Sequence, residues 1–174
     1  MLIQKLNENW QMCINNTEEF MPAAVPGSVY QDLLDNNKME DPYYRDNELK
    51  ALKIMENDFT YVTCFDVPED IREREEVLLH FDGIDTIGDI YLNGTLLGHV
   101  KNMHRIWEYS VKNLLKPEGN ELKVVLHSPT RFIREAYEER PLEGSSDAMR
   151  GFPYLRKAHC MFGWDWGPRL PDAG

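Results

Sequence analysis

From Phe59 the residues Phe59, Tyr61, Thr63, Phe65 and Val67 alternate with their neighbours, the two-residue period of a half-buried strand. Pro68 ends the run. "VLLHFDG" (Val77 to Gly83) and "DIYLNGTLLGHV" (Asp89 to Val100) continue the strand pattern. The second carries Asn93-Gly94, a hairpin signal because both residues tolerate positive φ. "ELKVVLHS" (Glu121 to Ser128) is a further strand after the turn-rich "KPEGN".

Helical spacing occurs in two places. Behind the breaker "MPAAVPGS" (Met21 to Ser28), Ser28 is placed to cap a helix on which Val29, Leu33 and Leu34 share a face. Pro129 and Thr130 open "TRFIREAYEER", where Phe132, Ile133, Ala136 and Tyr137 form one apolar stripe. The stretch "DNNKMEDPYYRDNE", with Pro42 against a helix, reads as an ordered loop. From Pro141 onward Gly, Pro, Ser, Arg and aromatics follow without a period, as in long functional loops. Many short strands, turn signals and two short helices predict an all-β chain folded as an antiparallel β-sandwich.

Composition adds limits. The 174 residues, 42% hydrophobic and 28% charged, suit one folded domain. A net charge of −11 without a basic stripe excludes a nucleic-acid face. No apolar run reaches the length of a membrane span, and "MLIQKLNENW" lacks the charged and apolar parts of a leader, so no membrane partner and a cytoplasmic location are expected. Cys13, Cys64 and Cys160 are odd in number and far apart, which suits packed, reduced thiols. Phosphate-loop, dinucleotide, nucleophile-elbow and zincin motifs are missing. His80, His99, His104, His127 and His159 are scattered and read as ordinary histidines. No cofactor or metal is expected.

The remaining chemistry sits in "FGWDWGPR", Phe162 to Arg169. Indole faces stack on the C–H face of a pyranose, and a carboxylate accepts from two neighbouring hydroxyls, so Trp164, Asp165 and Trp166 suit a sugar subsite. Two core tryptophans and an aspartate capping a turn between Gly163 and Gly167-Pro168 would use the same residues. The residues by themselves leave both readings open.

The segments "VPGSVYQDLL" (Val25 to Leu34), "DPYYRDNE" (Asp41 to Glu48), "FDGIDTIGDIYLNG" (Phe81 to Gly94), "NMHRIWEYSV" (Asn102 to Val111), "HSP" (His127 to Pro129) and "RKAHCMFGWDWGPRLPDAG" (Arg156 to Gly174) resemble, in order, the N-terminal sugar-binding domain of β-mannosidases in glycoside hydrolase family 2. The strand and glycine-turn pieces are shared with the β-galactosidases and β-glucuronidases of that family. The arginine-lysine pair followed by Phe-Gly-Trp-Asp-Trp-Gly-Pro is more specific to the mannosidase branch.

The resemblance implies a jelly-roll-like, galactose-binding-domain-like sandwich over residues 1–174, ending before its last strand and leaving a neighbouring strand edge unpaired. An immunoglobulin-like domain and a catalytic (β/α)8 barrel would follow downstream as its partners. It further implies a retaining exo-glycosidase acting on terminal β-mannose of a mannoside or manno-oligosaccharide. Asp165 would bind sugar hydroxyls and Trp164 shape the subsite, with Trp166 and Arg169 touching sugar or bracing the loop. The two catalytic glutamates belong to the barrel, so no catalytic residue is assigned in this chain. A free-standing carbohydrate-binding module and another family 2 glycosidase are the alternatives.

Overall fold

A computed structural model describes residues 1–15, 17, 19–144, 148–164 and 167–174, and of Trp164 the backbone alone. The main sheet has six strands: β1 (Gln11–Ile14), β2 (Met21–Pro22), β3 (Phe59–Phe65), β5 (Ile87–Leu92), β6 (Thr95–Lys101) and β8 (Asn120–Leu126). Their order is β2-β1-β3-β8-β5-β6, antiparallel throughout. A two-stranded ribbon pairs β4 (Leu78–Phe81) with β7 (Trp107–Ser110). It presses Leu79, Phe81, Trp107 and Tyr109 onto the same apolar core. The close approach of the two layers uses Gly98, where a Cβ would lie 2.7 Å from the Tyr109 ring.

The two-residue period of β3 is realised. Phe59, Tyr61 and Thr63 are buried while Cys64 is exposed. Register follows, with Phe59 opposite Leu126 and Phe65 opposite Asn120. The Asn93-Gly94 hairpin joins β5 to β6, with φ of 51° and 79° at its two residues. Phe59, Met12, Ile90, Leu92, Leu122 and Leu126 are wholly buried, each contributing about 1.5–3 kcal/mol relative to exposure.

Both predicted helices form. In α1 (Val29–Asp35) the Ser28 side chain accepts from the Gln31 amide. Its inner face differs from expectation, because Asp32 rather than Leu34 is fully buried beside Val29 and Leu33. The Asp32 carboxylate accepts from the Ala24 amide at 2.9 Å and the Tyr61 hydroxyl at 2.6 Å, which supplies the partners a buried acid needs. In α4 (Pro129–Glu139) Ser128 accepts from the Arg131 amide at 3.0 Å and donates to the Met55 carbonyl at 2.6 Å.

Two helices were not expected, α2 (Asn47–Ile54) and the single turn α3 (Glu69–Arg72). The loop reading of 35–48 holds from Asn36 to Asp46. α2 buries just Asn47 and Ala51, too narrow an apolar stripe for periodicity to reveal. Tertiary contact fixes it instead, since the Tyr30 hydroxyl donates to the Ala51 carbonyl at 2.9 Å. The thiols are free, yet only Cys13 is buried, and Cys64 and Cys160 are exposed. No described helix is long and apolar enough to cross a membrane.

Candidate functional site

The segment predicted to meet sugar is a β-ribbon, β9 (Phe162–Trp164) against β10 (Gly167–Arg169). Phe162 opposes Arg169 and Trp164 opposes Gly167. Gly163 has φ 89°, a region costly for any residue with a Cβ. Asp165 and Trp166 lie outside the described residues, as does the Trp164 side chain. Arg169 is described: its Nε donates to the Glu48 carboxylate on α2 at 2.7 Å. That pair fastens β10 to the helix that composition did not reveal.

The support beneath the ribbon is built from residues the sequence did not assign to the site. Phe162 and Leu155 are fully buried with Ile87 and Ile133 in a small apolar cluster of their own. The Met149 amide donates to the Phe162 carbonyl at 3.0 Å and the Leu170 amide to the Met161 carbonyl at 2.8 Å. Ahead of the ribbon a backbone bridge joins Asn102 to Arg156. Gly151, with φ 83°, passes so close to α4 that a Cβ would sit 2.2 Å from the Ile133 carbonyl oxygen.

Asp85 holds both feet of the ribbon. Its carboxylate pairs with Lys157, whose side chain is wholly buried. Its backbone exchanges two hydrogen bonds with Gly174, 2.8 Å and 2.5 Å. Beside it, Asp172 accepts from the Tyr30 and Ala173 amides at 2.9 Å and 2.8 Å, and the Ala173 carbonyl accepts from the Val29 amide.

Burial pushes the Lys157 ammonium below its ordinary value even with Asp85 opposing that change. Burial likewise lifts the Asp172 carboxyl above its usual range, against the hydrogen bonds that favour its charge. No short motif announces this arrangement, because Asp85 and Lys157 are 72 positions apart. The one available signal is a lysine inside the arginine-lysine run just before the aromatic segment.

Beside the ribbon a groove of about 460 Å³ opens between α4 and β10, lined by Arg134, Tyr137, Glu138, Met149, Arg150 and Arg169. Arg134 is engaged with Glu56 at 2.6 Å. Among the described residues, the side chains with metal-ligand chemistry that come together are Asp89, His99 and His127, on the main sheet rather than on the ribbon.

The family described as glycosyl hydrolase 2 galactose-binding domain-like matches residues 10–174. The chain is 33% identical over 179 residues to a β-mannosidase of Mus musculus, across 97% of this chain and 20% of that protein. With β-mannosidase B of Aspergillus terreus the identity is 36% over 165 residues, across 92% of this chain and 19% of the other. The crystal structure of a β-D-mannosidase from Dictyoglomus thermophilum matches the whole chain and 22% of its own, with a TM-score of 0.94 and 37% identity. An exo-chitosanase from Amycolatopsis orientalis, 17% identical with a TM-score of 0.59 over 68% of this chain, shares the fold alone. This chain spans about a fifth of the length of the relatives it matches.

Proposed function

The chain belongs to the glycosyl hydrolase 2 galactose-binding domain-like family, and on that premise we propose that it is the N-terminal domain of a retaining exo-β-mannosidase. The parent enzyme removes terminal non-reducing β-D-mannose, and this domain lends a loop to the sugar subsite. The observation that carries the reading is the end-to-end match to a β-D-mannosidase structure at a TM-score of 0.94. Relatives about five times longer support downstream domains as the source of the catalytic machinery.

In this reading the two carboxylates of the retaining reaction, about 5–5.5 Å apart, come from the barrel, and this chain supplies recognition. Asp165 accepts hydrogen bonds from hydroxyls of the terminal mannose, and Trp164 stacks beside the ring. Trp166 touches the sugar or braces the loop. Arg169 acts through its bond to Glu48, fixing where β10 stands beside the groove. The Asp85–Lys157 pair and the small cluster around Phe162 keep the loop's feet in place, which is what a positioning element must do for a distant reacting centre. The free thiols accord with a reducing, cytoplasmic setting.

Initial rates of the full-length protein on aryl β-D-mannoside, β-D-galactoside and β-D-glucuronide test this reading. The expected kcat/KM on the mannoside exceeds the others by about 100-fold or more, and the 174-residue chain alone turns over none of them. Preference for galactoside or glucuronide would move the protein to another branch of the family. Turnover by the chain alone would refute the division of labour.

A further inference from the structure

On the outer face of the main sheet, three potential ligands stand on a rigid frame. Asp89 and His99 are directly opposed on β5 and β6. His127 follows β8, and its amide extends the ladder by donating to the Ile87 carbonyl at 2.8 Å. Asp89 lies between Gly88 and Ile90, whose alternation with it puts Ile90 in the core and the carboxylate on the opposite face. That carboxylate spans both rings, with Oδ1 2.8 Å from His99 Nδ1 and Oδ2 2.9 Å from His127 Nε2. One donor atom from each of the three residues lies within 4.8 Å of the others.

A second layer stands behind His127. Its other nitrogen, Nδ1, faces the Asp58 carboxylate at 3.5 Å. Asp58 is in turn held by the Ser128 amide at 2.8 Å and by the Arg131 guanidinium. A carboxylate behind the far nitrogen of an imidazole is the arrangement that orients a metal-bound histidine and raises its basicity.

We propose that Asp89, His99 and His127 form a binding site for one divalent transition-metal ion, of which zinc is the working example. Two imidazole nitrogens with one carboxylate oxygen select zinc, nickel or copper over magnesium or calcium. The side chains are 24%, 55% and 30% exposed, so solvent reaches the site and water completes the coordination. Metal–ligand bonds of about 2.0–2.2 Å set neighbouring donor atoms about 3.3 Å apart. The donor atoms, all within 4.8 Å of one another, already stand near that spacing. The ring nitrogens facing Asp89 then carry no hydrogen, and the hydrogen left on His127 Nδ1 points at Asp58. The bound ion ties β5, β6 and the lead into α4 together. This site is independent of the glycosidase reading and of the ribbon residues.

Zinc titration of the full-length protein, read by calorimetry and by competition with a chromophoric chelator, tests the site. The wild type is expected to bind one more equivalent than His99→Ala or His127→Ala. Asp58→Asn is expected to keep that equivalent with about 10-fold weaker affinity. Zinc is also expected to raise the unfolding midpoint of the wild type and leave that of His99→Ala unmoved. His99 is more than half exposed, so its variant folds and decides the matter even if His127→Ala does not. Equal stoichiometry in wild type and His99→Ala, or no binding by the wild type at about 0.1 mM free zinc, overturns the proposal.

Discussion

A lysine ammonium wholly out of water needs an opposite charge against it, and Lys157 has Asp85. Removing the lysine leaves the partly exposed Asp85 carboxylate without its cation, so Lys157→Met is expected to destabilise the fold by about 1–3 kcal/mol in urea denaturation. The buried tyrosines give a pH signature. Burial, reinforced by Asp172 near Tyr30 and by Asp32 against Tyr61, pushes both phenols above their ordinary value of 10.0. Below that value folded and unfolded chains both keep the protons and the contribution is whole. Above it the unfolded chain loses protons that the folded chain retains, so stability falls as pH rises. Each tyrosine lowers the folding equilibrium constant about tenfold per pH unit there. Lys157 acts in the opposite sense only up to its ordinary value of 10.5, because its folded value is depressed. Unfolding midpoints measured upward from that point should therefore drop steadily, and in Tyr30→Phe by a visibly smaller slope.

Elements show how the loop is held, and two glycines separate conformation from contact. Gly119 and Gly151 both have positive φ, 65° and 83°, but a Cβ at Gly119 meets nothing within 4 Å whereas at Gly151 it meets the Ile133 carbonyl oxygen. Gly119→Ala should cost about 1 kcal/mol. Gly151→Ala should cost at least about 2 kcal/mol more, since backbone must move, and chemical denaturation of the two variants gives the comparison.

Strand β3, the β5–β6 hairpin and the helices α1 and α4 were legible because local signals decide them: a period of two, Asn93-Gly94, Ser28 and Pro129-Thr130. Strand β1 was not, since four residues with Met12 and Cys13 buried side by side show no alternation. Nor was α2, whose inner face is one alanine and one asparagine. At the site, the aromatic-acidic segment was visible as an odd composition. Its anchors Asp85, Lys157 and Asp172 were not, because each finds its partners across long stretches of chain. The histidines looked scattered for the same reason: sheet register, not sequence spacing, brings His99 and His127 to Asp89.

For the molecule as a whole, the sandwich serves as a mount. One end of its main sheet carries the small apolar cluster of Ile87, Ile133, Leu155 and Phe162, and the ribbon grows from Phe162. Both feet of the ribbon return to Asp85, and the groove beside Arg169 is lined by charged side chains. In the proposed function this mount presents Asp165 to the terminal sugar. The direct measurement is kcat/KM of the full-length Asp165→Ala variant on an aryl β-D-mannoside, alongside its unfolding midpoint. Loss of a charge-assisted pair of hydrogen bonds should lower kcat/KM about 10- to 100-fold with the midpoint unchanged. Wild-type kcat/KM in that variant would contradict the account.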